Sequence, residues 1–148
     1  MEIQIANRQR RHRVDRKRIA TTARIALGAL KHPDAELSIL LVGDRRIAAL
    51  NRAWLNRDGP TNVIAFPMRP NAAAPAGGNL LGDVVISVDT ARRESAAAGI
   101  GLEERLAALL IHGILHLCGY DHETGPRQAR RMAGAARRLM RLAAAAVE

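Results

Sequence analysis

Residues 37–42 form an apolar run of strand length, set between the helix-stopping triplet His32-Pro33-Asp34 and the turn Gly43-Asp44. A strand this apolar has to be covered, and the flanking sequence supplies the covers. Residues 2–6 alternate polar and apolar and predict a first short strand. A basic stretch then turns into a helix over about 15–30. After 37–42, Asp44 offers an N-cap acid for a helix running to about Trp54. Residues 56–60 read as a turn-rich loop, 61–66 as a third strand and 67–79 as a Pro/Gly/Ala loop without periodicity, expected to be mobile. Residues 83–88 predict a fourth strand. Asp89 can cap a helix ending at Ala98, Gly99 stops it, and helices are predicted over 102–118 and about 125–145. No internal repeat or linker interrupts this order. The pattern predicts an α+β domain spanning 1–148: a small four-stranded mixed sheet packed with about five helices.

The chain has 148 residues, enough for one domain to bury a core without a disulfide or a structural metal. A metal site is therefore expected to be functional. Charged residues are 25% and hydrophobic residues 48%, which fits neither a disordered nor a collagen-like chain. The single cysteine, Cys118, has no internal partner, and no apolar leader opens the sequence, so a cytoplasmic location is expected. The Arg-rich start is interrupted by Asp15 and has no Ser before Ser38, unlike an organellar transit peptide. Charged or His residues break every long apolar run, so no membrane partner is expected.

Basic residues number 23 against 14 acidic ones, and all but Lys17 and Lys31 are arginines, the side chain best shaped for bidentate phosphate contact. One run holds Arg8, Arg10, Arg11, Arg13, Arg16, Lys17 and Arg18; Arg127, Arg130, Arg131, Arg137, Arg138 and Arg141 decorate the last predicted helix. Such runs fit an RNA partner and equally fit solvated faces. Only Trp54, Phe66 and Tyr120 are aromatic, too few for a base-stacking platform, so any nucleic acid is expected to be held mainly through phosphates.

Three of the five histidines, His112, His116 and His122, fall within the eleven residues 112–122. Positions i and i+4 are neighbours on a helix, so His112 and His116 can converge on one ion. Gly119 is a natural helix stop, after which the chain can bring His122 back as a third ligand. Three protein ligands leave a fourth tetrahedral position for water, as in catalytic zinc sites. Two aligned histidines with a third just past the stop favour a metal over ordinary helix residues. Cys118 points away around the helix and reads as core. Asp121 reads either as a turn residue or as a hydrogen-bond partner of a ligand imidazole. A zinc peptidase helix would carry Glu after the first His as general base; Gly113 stands there instead.

The segment His112-Gly113-Ile114-Leu115-His116-Leu117-Cys118-Gly119-Tyr120-Asp121-His122 resembles the signature of the YbeY family of bacterial endoribonucleases and ribosomal RNA maturation factors. Asp58-Gly59-Pro60-Thr61-Asn62-Val63-Ile64-Ala65-Phe66-Pro67 and Leu81-Gly82-Asp83-Val84-Val85-Ile86-Ser87 are similar to two further family blocks. The resemblance covers roughly residues 35–140. It implies a zinc-dependent cut in single-stranded RNA, one zinc ion per chain on His112, His116 and His122, and a role on ribosomal RNA and the small ribosomal subunit in processing and quality control. Where the family usually carries an arginine after the aromatic of its Leu-Asn-x-x-Tyr/Trp segment, Leu55 follows Trp54, and Ala65 replaces a usual Ser. A guanidinium able to stabilise charge on a phosphate is missing at that position. Arg57 can reach the same space or stand as a solvated loop charge; Thr61 and Asn62 can orient the cleft. Two functions follow: a metal-dependent ribonuclease, or a non-catalytic zinc-containing RNA-binding factor in which Leu55 marks a lost activity.

Overall fold

The computed structural model describes residues 1–68 and 80–147. The expectation for the Pro/Gly/Ala loop falls on 69–79 and lies outside the described residues.

Strand β1 (Glu2–Asn7), helix α1 (Arg16–Ala29), β2 (Glu36–Val42), α2 (Asp44–Leu55), β3 (Val63–Pro67), β4 (Leu80–Ser87), α3 (Val88–Ala98), α4 (Leu102–Leu117) and α5 (Pro126–Val147) follow in that order. The four strands make one sheet in the order β1-β2-β4-β3. β1, β2 and β4 run parallel, and β3 returns antiparallel at the β4 edge. The sheet is mixed and the domain is α+β, as the sequence predicts.

Strand β2 is mostly apolar, with only Glu36 and Ser38 polar, because both its faces are covered. Leu37, Ile39 and Leu41, with Val84 and Ile86 of β4, pack in the larger core with α1, α4 and α5. Val42, Ile64 and Val85 face the other way, against Ile47 of α2. Helix α1 offers Ile19, Thr22, Ala23, Ala26 and Leu27 at helical spacing. Helix α4 buries Leu106, Leu109, Leu110, Ile111, Ile114 and Leu115, wider than a single stripe, because it touches α1, α3 and α5 as well as β3 and β4. Helix α5 buries Met132, Leu139 and Ala143 and turns its arginines outward.

The ends of the elements differ from the sequence reading in instructive ways. Strand β4 starts at Leu80, three residues early, because Leu80 pairs with Glu36 across a register shift in β2. β3 begins at Val63 rather than Thr61 and extends to Pro67. Neither Asp44 nor Asp89 caps its own helix. Ser87, not Asp89, caps α3, its Oγ accepting from the Thr90 N–H at 3.2 Å. Asp44 is the first residue of α2 rather than its cap; the cap is Gly43, and the Asp44 N–H donates to Asp89 Oδ2 at 2.9 Å. A side chain at position 43 would place its Cβ 2.8 Å from that same oxygen.

The N-terminal basic run is fixed at the carboxyl end of the sheet. The Arg8 N–H donates to the Leu41 carbonyl at 2.8 Å, and the Gln9 side chain bonds both the N–H and the carbonyl of His12, at 3.0 and 2.8 Å. The His12 ring lies 3.1 Å from Asp89 Oδ1. Arg8, Arg10, Arg11 and Arg13 stand exposed around this brace. No described helix is long and apolar enough to cross a membrane.

Candidate metal centre and cleft

Helix α4 carries His112 and His116 one turn apart and ends at Leu117, with Cys118 as its C-cap. The Gly119 N–H donates to the His116 carbonyl and the Tyr120 N–H to the Leu115 carbonyl, both at 3.0 Å, with Gly119 at φ +93°. This paired pattern around a left-handed glycine reverses the chain. It returns His122 towards the two helix histidines. Asp121 Oδ1 accepts the Glu123 N–H at 2.8 Å, the turn role. Arg131 of α5 lies over the Tyr120 ring at 5.1 Å and ties the turn to the next helix.

The three imidazoles converge. His112 Nε2 and His116 Nε2 are 3.1 Å apart, and one donor atom from each histidine lies within 4.8 Å of the others. A tetrahedral ion bound at 2.0–2.1 Å sets nitrogens about 3.3–3.4 Å apart, so the helix pair already has the right spacing. His122, on its turn, is 45% exposed and has Nε2 3.8 Å from Glu123 Oε1. Burial, reinforced by the positive charges of His116, His122 and Arg105, lowers the His112 pKa to about 4. That keeps the ring neutral, the form in which imidazole ligates. The trio can hold a metal ion.

Why glycine follows the first histidine is a packing matter. A Cβ at Gly113 would meet Val84 Cγ1 at 2.7 Å and Cγ2 at 3.1 Å. Helix α4 is seated so closely on β4 that the glutamate of a peptidase helix has no room there. Cys118 is half-buried against the core, and burial raises its thiol pKa, in keeping with an unreactive structural cysteine.

A cleft of about 820 Å³ opens beside the histidines, with Leu55, Arg57, Thr61 and Asn62 on its wall. Leu55 is 43% exposed, so an arginine there would project into or beside the cleft. Arg57 is exposed and its N–H donates to the Asn51 carbonyl at 3.2 Å; among the described residues its side chain has no ion pair. Asn62 is tethered, its Nδ2 donating to the Glu94 carboxylate at 3.2 and 3.4 Å. Arg105 holds Glu94 in turn, with Nε at 3.0 Å and a second nitrogen at 2.9 Å from Oε1. Glu94 and Arg105 were not singled out in the sequence, because only the tertiary fold brings α3 and α4 to the start of β3.

Asn51 was missed as well. It is buried, and its Nδ2 donates to the Gly59 carbonyl at 3.0 Å, pinning the loop that carries Arg57. The available signal was a polar residue on the apolar side of α2, one turn after Ile47.

A family model described as Endoribonuclease YbeY matches residues 4–143. The endoribonuclease YbeY of Geobacter sulfurreducens is 46% identical over 143 residues, 96% of this chain and 95% of the relative. The Geobacter metallireducens protein of the same name is 48% identical over 133 residues, 89% of each. The Aquifex aeolicus one is 40% identical over 122 residues, 82% of this chain and 79% of the relative. A solution structure of a Thermotoga maritima protein shares the fold with a TM-score of 0.65 at 22% identity, covering 95% of this chain and 88% of that one.

Proposed function

The chain belongs to the YbeY endoribonuclease family, and from that membership together with the histidine trio we propose that it is a zinc-dependent, single-strand-specific endoribonuclease of ribosomal RNA maturation and quality control. The observation that carries this reading is the convergence of His112, His116 and His122 at one end of an open cleft. Zinc, when bound, supplies Lewis acidity towards a phosphoryl oxygen and makes water nucleophilic near neutral pH. The protein's own groups do the rest. His112 and His116 bind from a rigid helix, and His122 completes the set from its turn. The Glu94–Asn62 tether fixes the opposite wall, and Thr61 shapes it. Asp121 holds the turn so that His122 faces inward. Arg57 offers a guanidinium to phosphate charge. The open cleft and net charge of +9 suit an RNA strand, whose phosphates the exposed arginines of the N-terminal run and α5 would neutralise. Residues 1–148 act as a single cytoplasmic domain, with ribosomal RNA and the small ribosomal subunit as partners.

Leu55 on the cleft wall favours a second reading, a zinc-containing ribosomal RNA-binding factor without catalysis. One experiment separates the two. A labelled single-stranded ribosomal RNA fragment is offered to the native protein, His116→Ala and Leu55→Arg, with metal content recorded for each. The nuclease reading expects cleavage by the native protein, loss of both cleavage and metal in His116→Ala, and little change in Leu55→Arg. Binding without cleavage by the native protein, with cleavage gained in Leu55→Arg, would establish the second reading. Full metal content and full cleavage in His116→Ala would overturn both.

A further inference from the structure

Asn62 is held at both its backbone and its side chain. The backbone carbonyl accepts the Ser87 N–H at 2.9 Å, which sets the residue at the head of β3. The side-chain amide donates through Nδ2 to the two oxygens of Glu94, at 3.4 Å from Oε1 and 3.2 Å from Oε2. An ionised carboxylate only accepts, so the amide turns its nitrogen to Glu94 and its carbonyl oxygen points the other way. Arg105 keeps Glu94 from rotating. Two of its guanidinium nitrogens lie 3.0 and 2.9 Å from Oε1, which leaves Oε2 to Asn62.

Asn62 Oδ1 is therefore an acceptor with a fixed direction. Among the described residues it has no hydrogen-bond partner, and it is not among the buried unpartnered atoms, so it reaches solvent. Asn62 lines the cleft whereas Glu94 and Arg105 do not, so the amide is held from behind. The candidate metal ligands are close by: a Cβ at Gly113, next to His112, would lie 3.4 Å from Cγ2 of Val63, next to Asn62. An oriented acceptor calls for a donor on the substrate. The phosphodiesters of an RNA strand offer none, and the donors of the bases change with sequence. Every ribose, in contrast, carries a 2′-hydroxyl beside its 3′-phosphate, and this is the group that separates RNA from DNA.

We infer that Asn62 Oδ1 accepts a hydrogen bond from a ribose 2′-hydroxyl of the strand in the cleft, with Glu94 and Arg105 as the positioning residues that aim it. The inference rests on the proposed RNA substrate and adds the atom by which the cleft tells ribose from deoxyribose. The arrangement has a second consequence. In Glu94→Gln, Arg105 claims the oxygen of the new amide and leaves its nitrogen to Asn62, whose own amide must turn round to accept. The cleft then presents a donor in place of an acceptor, although no lining residue has changed.

End-labelled hexauridylate and its 2′-deoxy and 2′-fluoro counterparts are titrated by fluorescence anisotropy against native protein, Asn62→Leu and Glu94→Gln, and cleavage of the ribosomal RNA fragment is followed in parallel. The 2′-fluoro strand keeps an RNA-like sugar pucker and lacks the donor, so the ratio of ribo to fluoro affinity isolates the contact. Native protein is expected to bind hexauridylate about 2- to 10-fold more tightly than the fluoro strand, and both variants to bring that ratio to about one. A merely structural role would weaken all the strands together and leave the ratio in place. Equal affinity of native protein for the ribo and fluoro strands, a measurement that needs no variant, would overturn the inference, as would a preference retained in Asn62→Leu. A preference lost in Asn62→Leu and kept in Glu94→Gln would overturn the positioning role of Glu94. Discrimination between hexauridylate and hexacytidylate that disappears in Asn62→Leu, with the ribo-to-fluoro ratio unmoved, would assign Oδ1 to a base and overturn the inference. Any of these results with His116-dependent cleavage intact leaves the nuclease reading standing, whereas no RNA binding and no cleavage would remove both.

Discussion

Replacing Gly113 by alanine tests whether the close seating of α4 on β4 is what requires glycine beside the first histidine. In an open helix interior the change would stabilise by about 1 kcal/mol, since alanine is the better helix former. Here the new Cβ would lie 2.7 Å from Val84 Cγ1 and 3.4 Å from Val63 Cγ2. Val84 is fully buried, in a strand paired on both sides, and has nowhere to retreat. Overpacking of this kind costs about 1–3 kcal/mol. The net expectation is a loss of about 1 kcal/mol, or about 2–4 °C in Tm for a chain of this size. In a Val84→Ala background the clashing methyls are gone, and the same Gly113→Ala change should stabilise instead. The coupling between the two sites is then about 1–3 kcal/mol. Urea unfolding of the native protein, both single variants and the double variant, with unchanged m-values, measures it. If Gly113→Ala stabilises the native background, or if the two changes add within about 0.5 kcal/mol, the contact is not the reason for the glycine.

Two further predictions concern polar groups that hold the elements in place. Burial would raise the Asp44 pKa, but hydrogen bonds from Arg93, Thr90 and Ser87 and the Arg93 charge outweigh it and lower the pKa to about 2. A depressed carboxylate stabilises the fold above its unfolded value and loses that contribution as pH falls from about 4 through about 2. Asp44→Asn should therefore cost up to about 2 kcal/mol at pH 6, with the difference from the native protein shrinking towards pH 2 in urea titrations; a gap independent of pH would contradict this origin. Asn51→Ala removes the amide that holds the Gly59 carbonyl and should lower stability by about 1 kcal/mol. Limited trypsin digestion should then cut after Arg57 severalfold faster, whereas an unchanged rate would show that the loop is held by other contacts.

The histidine trio was legible because its geometry is local: a one-turn spacing, a glycine stop and a short return. Strand 37–42 was legible because a strand covered on both faces reads as a mostly apolar run, here interrupted only by Ser38. That Asp44 and Asp89 do not cap their own helices was not, since each carboxylate finds partners on the other's helix, more than forty residues away. The same holds for the Asn62–Glu94–Arg105 chain, whose members reveal nothing at their spacing in sequence. The reading of Gly113 as the mere absence of a glutamate became a reason only when β4 was seen beneath it.

The order in which the strands are made differs from the order in which they stand. β4 lies between β2 and β3 and bonds to both, yet it is the last strand to be synthesised. At about 5–20 residues per second, the ribosome needs on the order of 2–9 s to pass from Val42 to Ser87. Throughout that interval β2 presents an unpaired edge and β3 has no native partner, the state most open to pairing with a neighbouring nascent chain. A fragment ending before Leu80 would be left in that state permanently. The domain therefore has no foldable N-terminal half, and a stalled or truncated chain should depend on chaperones or be degraded.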